Sequence, residues 1–137
     1  MKQHTTNYFD TFIEVAEDTK VANGTIPPVK DKPTVAEMQY RLISANPYKY
    51  TSDDILLMVY AQKNNIQKDA LEQARADFFS KGQACLRASP LTKSYGFGIH
   101  SNSKGKIALY AMESEEYKNF LNDKAVKKVK AMRSSRK

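Results

Sequence analysis

The chain has one cysteine (Cys85), two histidines and no tryptophan. A single cysteine cannot build an internal disulfide framework, and it suits a reducing compartment. With so few thiols and imidazoles, a zinc site would have to lean on carboxylates, and neither a zinc-spaced Cys/His set nor His-Glu-x-x-His occurs. Only five glycines are present, and none forms a phosphate-binding loop or a dinucleotide fingerprint. No metal and no cofactor is therefore expected. No apolar run approaches the ~20 residues of a membrane helix, and Met1 to Asn7 lacks a signal-peptide core. A cytoplasmic protein without a membrane partner is the expectation.

What remains is ordinary globular material. The 137 residues are 41% hydrophobic and 27% charged, enough for one core without staples. The net charge of +7 invites a nucleic-acid reading until it is placed along the chain. Residues 1–123 carry 15 acidic and 15 basic side chains, so the excess lies in residues 124–137. The division expected is a neutral domain over 1–123 and a basic tail over 124–137.

Tyr8 to Ala16 reads as a strand, with Phe9, Thr11, Ile13 and Val15 on one face and Tyr8, Asp10, Phe12 and Glu14 on the other. Glu17 to Pro33 is a connection punctuated by Asn23-Gly24 and Pro27-Pro28. Thr34-Val35-Ala36-Glu37 has the form of a capping box and opens a helix that Asn46-Pro47 closes. A second helix starts at Thr51 or Ser52 and ends at Asn64-Asn65. A third spans about Lys68 to Lys81, with Gly82 as its left-handed cap. After an irregular stretch from Gln83 to Tyr95, Gly96–Asn102 and Lys106–Met112 form a hairpin. A three-residue loop with Gly105 left-handed sets Ile99 opposite Leu109 and Phe97 opposite Ala111. Ser114 caps a last helix carrying Tyr117, Phe120 and Leu121. The expected fold is α+β: a small antiparallel sheet of the N-terminal strand and the C-terminal hairpin, with about four helices mainly on one face. Val126, Val129 and Met132 or Arg133 recur at three-residue steps, which would extend the last helix into the tail.

Five stretches, His4–Glu14, Asn46–Asp54, Cys85–Leu91, Tyr95–His100 and Lys130–Arg133, together resemble a family of small uncharacterised bacterial proteins, a domain of unknown function. The resemblance implies a bacterial cytoplasmic protein and supplies no activity, cofactor or catalytic residue.

Chemistry-bearing residues concentrate between Cys85 and His100. Arg87, Ser89, Lys93, Tyr95 and His100, with Tyr110 across the hairpin, would make a pocket for an anionic small molecule or a partner segment if they converged. Cys85 and His100 would make a nucleophile and base pair if they met. Tyr40, Tyr48, Tyr50 and Tyr60 gather near the junction of the first two helices and could line a groove or a subunit contact. Such a surface, with uncovered sheet edges, makes a homodimer plausible. Lys124, Lys127, Lys128, Lys130, Arg133, Arg136 and Lys137 could hold phosphate backbones, without the interleaved aromatics of single-strand binders. The function expected is a non-catalytic binding domain. The alternative is nucleic-acid association through the tail, and a small Cys/His hydrolase or transferase ranks third.

Overall fold

The computed structural model describes residues 3–133. Four strands form one mixed sheet: β1 (Thr11–Glu14), β2 (Phe97–Ser101), β3 (Ile107–Ala111) and β4 (Lys127–Lys130). Their order is β3-β2-β1-β4, with β1 antiparallel to β2 and parallel to β4. The helices are α1 (Val35–Ala45), α2 (Ser52–Lys63), α3 (Leu71–Phe78), α4 (Pro90–Lys93) and α5 (Glu115–Asn122), with 3-10 turns at Lys68–Ala70 and Leu86–Ala88. The fold is α+β. No helix among the described residues is long and apolar enough to cross a membrane.

The β2–β3 hairpin has the expected register, Ile99 opposite Leu109 and Phe97 opposite Ala111. Asn102 N–H donates to the Lys106 carbonyl at 2.9 Å, and Gly105 sits at φ 79°, so the loop is the three-residue form. Asn102 Oδ1 also accepts the Lys104 and Lys106 amides, which pins that loop from inside.

Two expectations about strands are corrected. β1 is shorter than Tyr8–Ala16, because Asp10 turns the backbone left-handed at φ 49° and leaves Phe9 55% exposed. The basic segment does not extend the last helix. α5 stops at Asn122, and residues 127–130 run as the fourth strand, so the sheet is mixed rather than antiparallel. Apolar residues at three-residue steps could not hold a helix there; the open edge of β1 offered every second backbone amide a partner. Lys127 N–H bonds the Asp10 carbonyl and Ala131 N–H that of Glu14, both at 2.9 Å.

Helices α1, α2 and α4 lie on one face of the sheet, and α5 covers the other. Thr11, Ile13, Phe97, Ile99, Ser101 and Ile107 point to the larger core, where Ile43 of α1, Ile55 of α2 and Leu91 of α4 meet them. Each fully buried aliphatic side chain there contributes about 1.5–3 kcal/mol. Phe12, Gly98, His100 and Tyr110 point the other way, beneath α5, whose Tyr117 and Phe120 rings lie 4.9 Å from the Phe12 ring. Gly98 has no substitute on that face, since an added Cβ would run into Phe12 and Tyr117.

Helix starts follow the local chemistry. Thr34 accepts the Glu37 amide as N-cap of α1, but the Glu37 carboxylate turns away to Lys30 N–H and Arg41, so the capping box is half made. At α2 the box is complete: Thr51 Oγ1 accepts the Asp54 amide and the Asp54 carboxylate accepts the Thr51 amide, each at 3.1 Å. α3 ends at Phe78 rather than Lys81, and Gly82 is not left-handed; the turn at Phe79 and Ser80 closes on Arg75 and Asp77 carbonyls instead.

Asp53, in the first turn of α2, is a heavily used carboxylate. It is 8% exposed and accepts Thr5 Oγ1 at 2.6 Å, with Thr6 N–H and Thr6 Oγ1 both at 2.7 Å. Asn7 Oδ1 in turn accepts the Asp53 amide at 2.9 Å. This cluster seats the segment that leads into β1. Asp53→Ala strips the carboxylate from three donors, two of them on buried Thr6, and is expected to lower the unfolding free energy by about 2–4 kcal/mol. Urea denaturation checks it, and a loss below about 1 kcal/mol would show that the latch is dispensable.

Candidate functional site

The six residues picked out around Cys85–His100 divide between the two faces of the sheet. Ser89 is 3% exposed, and its hydroxyl is committed to Gln39 Oε1 and to the Leu91 amide as N-cap of α4. Tyr95 packs against the larger core, and Lys93 sits half-buried in the last turn of α4. Arg87 lies at the far edge: its Nε donates to the Lys130 carbonyl at 2.6 Å, and its own carbonyl accepts the Met132 amide at 2.8 Å. His100 and Tyr110 alone come together, on the α5 face. The expected four-way convergence of Arg87, Lys93, Tyr95 and His100 does not form, because strand alternation sends His100 through the sheet from the α4 side.

Around His100 the structure assembles a polar trio walled by rings. Tyr48 Oη lies 2.9 Å from His100 Nδ1 and 2.7 Å from Tyr110 Oη. Phe120 stacks on the imidazole at 4.3 Å between centroids and tilts against Tyr110 at 5.0 Å. Burial keeps His100 neutral to a lower pH than usual, against the opposing pull of the Asp10 and Asp123 carboxylates. Burial, and then the Tyr110 hydroxyl, push the Tyr48 phenol well above the ordinary tyrosine range. The imidazole and the Tyr48 phenol are therefore both uncharged in this hydrogen-bond chain at neutral pH.

The sequence sets Tyr48 among four tyrosines near a helix junction, and the structure makes it the partner of His100. Those four separate: Tyr40 lies on Phe97, Tyr60 on Phe78, and Lys49 sits over Tyr50. Tyr48 reaches His100 because its backbone is left-handed at φ 59°, an uncommon conformation for a bulky residue. Two bonds to β3 hold it there: Tyr48 N–H donates to the Ile107 carbonyl and Ile107 N–H to the Tyr50 carbonyl. Asn46-Pro47, read as a helix stop, was the visible part of that signal.

Cys85 and His100 have different partners. The thiol lies 3.4 Å from Tyr8 Oη, and burial followed by that thiol contact raises the Tyr8 phenol, with Arg87 pulling the other way. Among the described residues no group of three or more His, Cys, Asp or Glu is placed to hold a metal ion.

Of the tail residues, Lys124, Lys127, Lys130 and Arg133 are exposed, while Lys128 is half-buried with its ammonium on the Asp123 carbonyl. Arg136 and Lys137 lie outside the described residues. Arg87 therefore belongs with the basic strand, and the two sequence features become neighbours at the β4 end of the sheet.

The model of a family of unknown function, DUF6157, matches residues 3–137, and the chain belongs to that family. No curated protein and no solved structure matches it.

Two outcomes test the trio. Tyr48→Phe leaves the Tyr110 hydroxyl and His100 Nδ1 without their common partner and is expected to cost about 1–3 kcal/mol in denaturant unfolding; a change below about 0.5 kcal/mol would mean the bonds are idle. The folded pKa of His100 is depressed from 6.5, so the unfolded chain takes its proton first. Stability from this group is complete above about pH 6.5 and is lost as pH falls from there toward the folded value. His100→Gln should flatten that part of the stability–pH curve, and an unchanged slope would assign the loss to other groups.

Proposed function

We propose that the chain is a non-catalytic binding domain that takes up an anionic partner on the basic surface shared by Arg87 and β4. The observation that supports it is the pairing of Arg87 with Lys130 and Met132, which joins the chain's two basic features into one surface. Lys127 and Lys130 stand exposed on β4, with exposed Lys124 before it and Arg133 after it in the chain. Lysines are compact charges on flexible stems, suited to anionic groups spaced along a chain rather than to a single bidentate carboxylate. Arg87 gives its Nε to the Lys130 carbonyl and also acts on the Tyr8 phenol, so it anchors the surface while the lysines supply its exposed charge. Catalysis fits less well, because thiol and imidazole are occupied by separate phenols. We place the protein in the bacterial cytoplasm on the resemblance given above.

The tail reading keeps a nucleic-acid backbone among the partners this surface would accept, bound through phosphates and without base stacking. Fluorescence anisotropy at low salt, with a labelled DNA duplex and with a labelled poly-glutamate, tests both. Binding to one of them is expected, weakening with added salt and by about ten-fold or more in the K127E/K130E variant. No binding to either polyanion, or equal binding by the variant, would overturn the proposal.

A further inference from the structure

A second surface carries different chemistry. Three aromatic rings run outward from the core where α2 and α3 meet. Phe79 is 3% exposed, Phe78 lies against it at 4.9 Å in an edge contact, and Tyr60 lies on Phe78 at 4.6 Å, itself 38% exposed. The outer pair opens onto a cleft of about 610 Å³, within the range that accommodates a small molecule, lined also by Asp77, Ser80, Lys81 and Gln83. An exposed tyrosine backed by a second ring gives a flat apolar platform on which another ring can stack.

The internal hydrogen bonds fix what the rim can offer. Gln83 Nε2 donates one N–H to the Phe78 carbonyl at 2.7 Å, which leaves Oε1 as an unspent acceptor beside the second N–H. Ser80 Oγ donates its proton to the Asp77 carbonyl at 2.6 Å and keeps only acceptor capacity. One oxygen of the Asp77 carboxylate accepts from Gln73 at 3.0 Å, and the other is available as a further acceptor. Lys81 is the one cation among the residues lining the cleft. Acceptors on Gln83, Ser80 and Asp77, with one cation beside a ring platform, suit a flat ring that bears N–H donors and one anionic substituent.

The geometry points to this cleft as a binding site for an amino-bearing heteroaromatic ring with an anionic group, the chemistry of a nucleoside monophosphate. The ring stacks on Tyr60, its exocyclic amine meets Gln83, Ser80 or Asp77, and its phosphate meets Lys81. The site is separate from the β4 surface and does not depend on the proposal made for it.

Titration of the full chain with adenosine monophosphate, followed by NMR of ¹⁵N-labelled protein, tests the inference. Shifts are expected at residues 60 and 77–83. Tyr60→Ala, a surface change, should weaken binding by about five-fold or more through lost stacking. Lys81→Gln should weaken adenosine monophosphate by about three-fold while leaving adenosine unchanged. The K127E/K130E variant should bind like the parent chain. No shifts in this segment, binding unaffected by Tyr60→Ala, equal loss of both ligands in Lys81→Gln, or binding abolished only by K127E/K130E would each overturn the assignment.

Discussion

The carboxylate of Asp53 is the constraint on which the sheet depends. It sits in the first turn of α2, where the helix dipole favours a negative charge, and it gathers donors from Thr5 and Thr6 in a segment distant in sequence. That segment leads directly into β1. Because β1 lies between β2 and β4, fixing its entry fixes the line along which both neighbours pair. The left-handed Asp10 then sets which side chains face each core. Seen this way, the acidic start of α2 does more than offset a helix dipole: it joins the helical layer to the central strand.

The stretches that carry the family resemblance are also the stretches that touch one another. Thr5, Thr6 and Asn7 meet Asp53, Tyr8 meets Cys85, Tyr48 meets His100, and Arg87 meets Lys130 and Met132. Each contact joins two of those stretches. Residue types that suggest chemistry when read singly, such as a thiol, an imidazole, several phenols and an arginine, are here largely spent on holding the layers in register. This is why the conspicuous polar residues point to architecture, while the proposed binding is assigned to surfaces of plainer composition.

Legibility in the sequence follows the range of the interaction. The hairpin was readable to the register because a three-residue loop and a left-handed Gly105 are local facts. The caps of α1, α2 and α5 were readable for the same reason. β4 was not: Lys127-Lys128-Val129-Lys130 has one strand former among four residues, and its conformation comes from β1 and Arg87 beside it. The lysines then guard the sheet edge, since a cationic strand is a poor template for further pairing. The His100 site was half readable, with Tyr110 visible from the hairpin register and Tyr48 hidden behind a backbone conformation that tyrosine seldom adopts.

The place of β1 also has a consequence for how the chain is made. Its two neighbours come from residues 97–101 and 127–130, so a strand synthesised early gains its first partner only after α1 to α4 exist and its second only after α5. Meanwhile Phe12 and Ile13, both fully buried in the finished protein, have no sheet to enter. Growth on the ribosome can settle α1 and α2 by local contacts, but the sheet must close late and cooperatively, with the high sequence separation that slows β-rich folding. Residues 127–130 are thus a closing strand, and a nascent chain halted before them carries β1 with one edge bare.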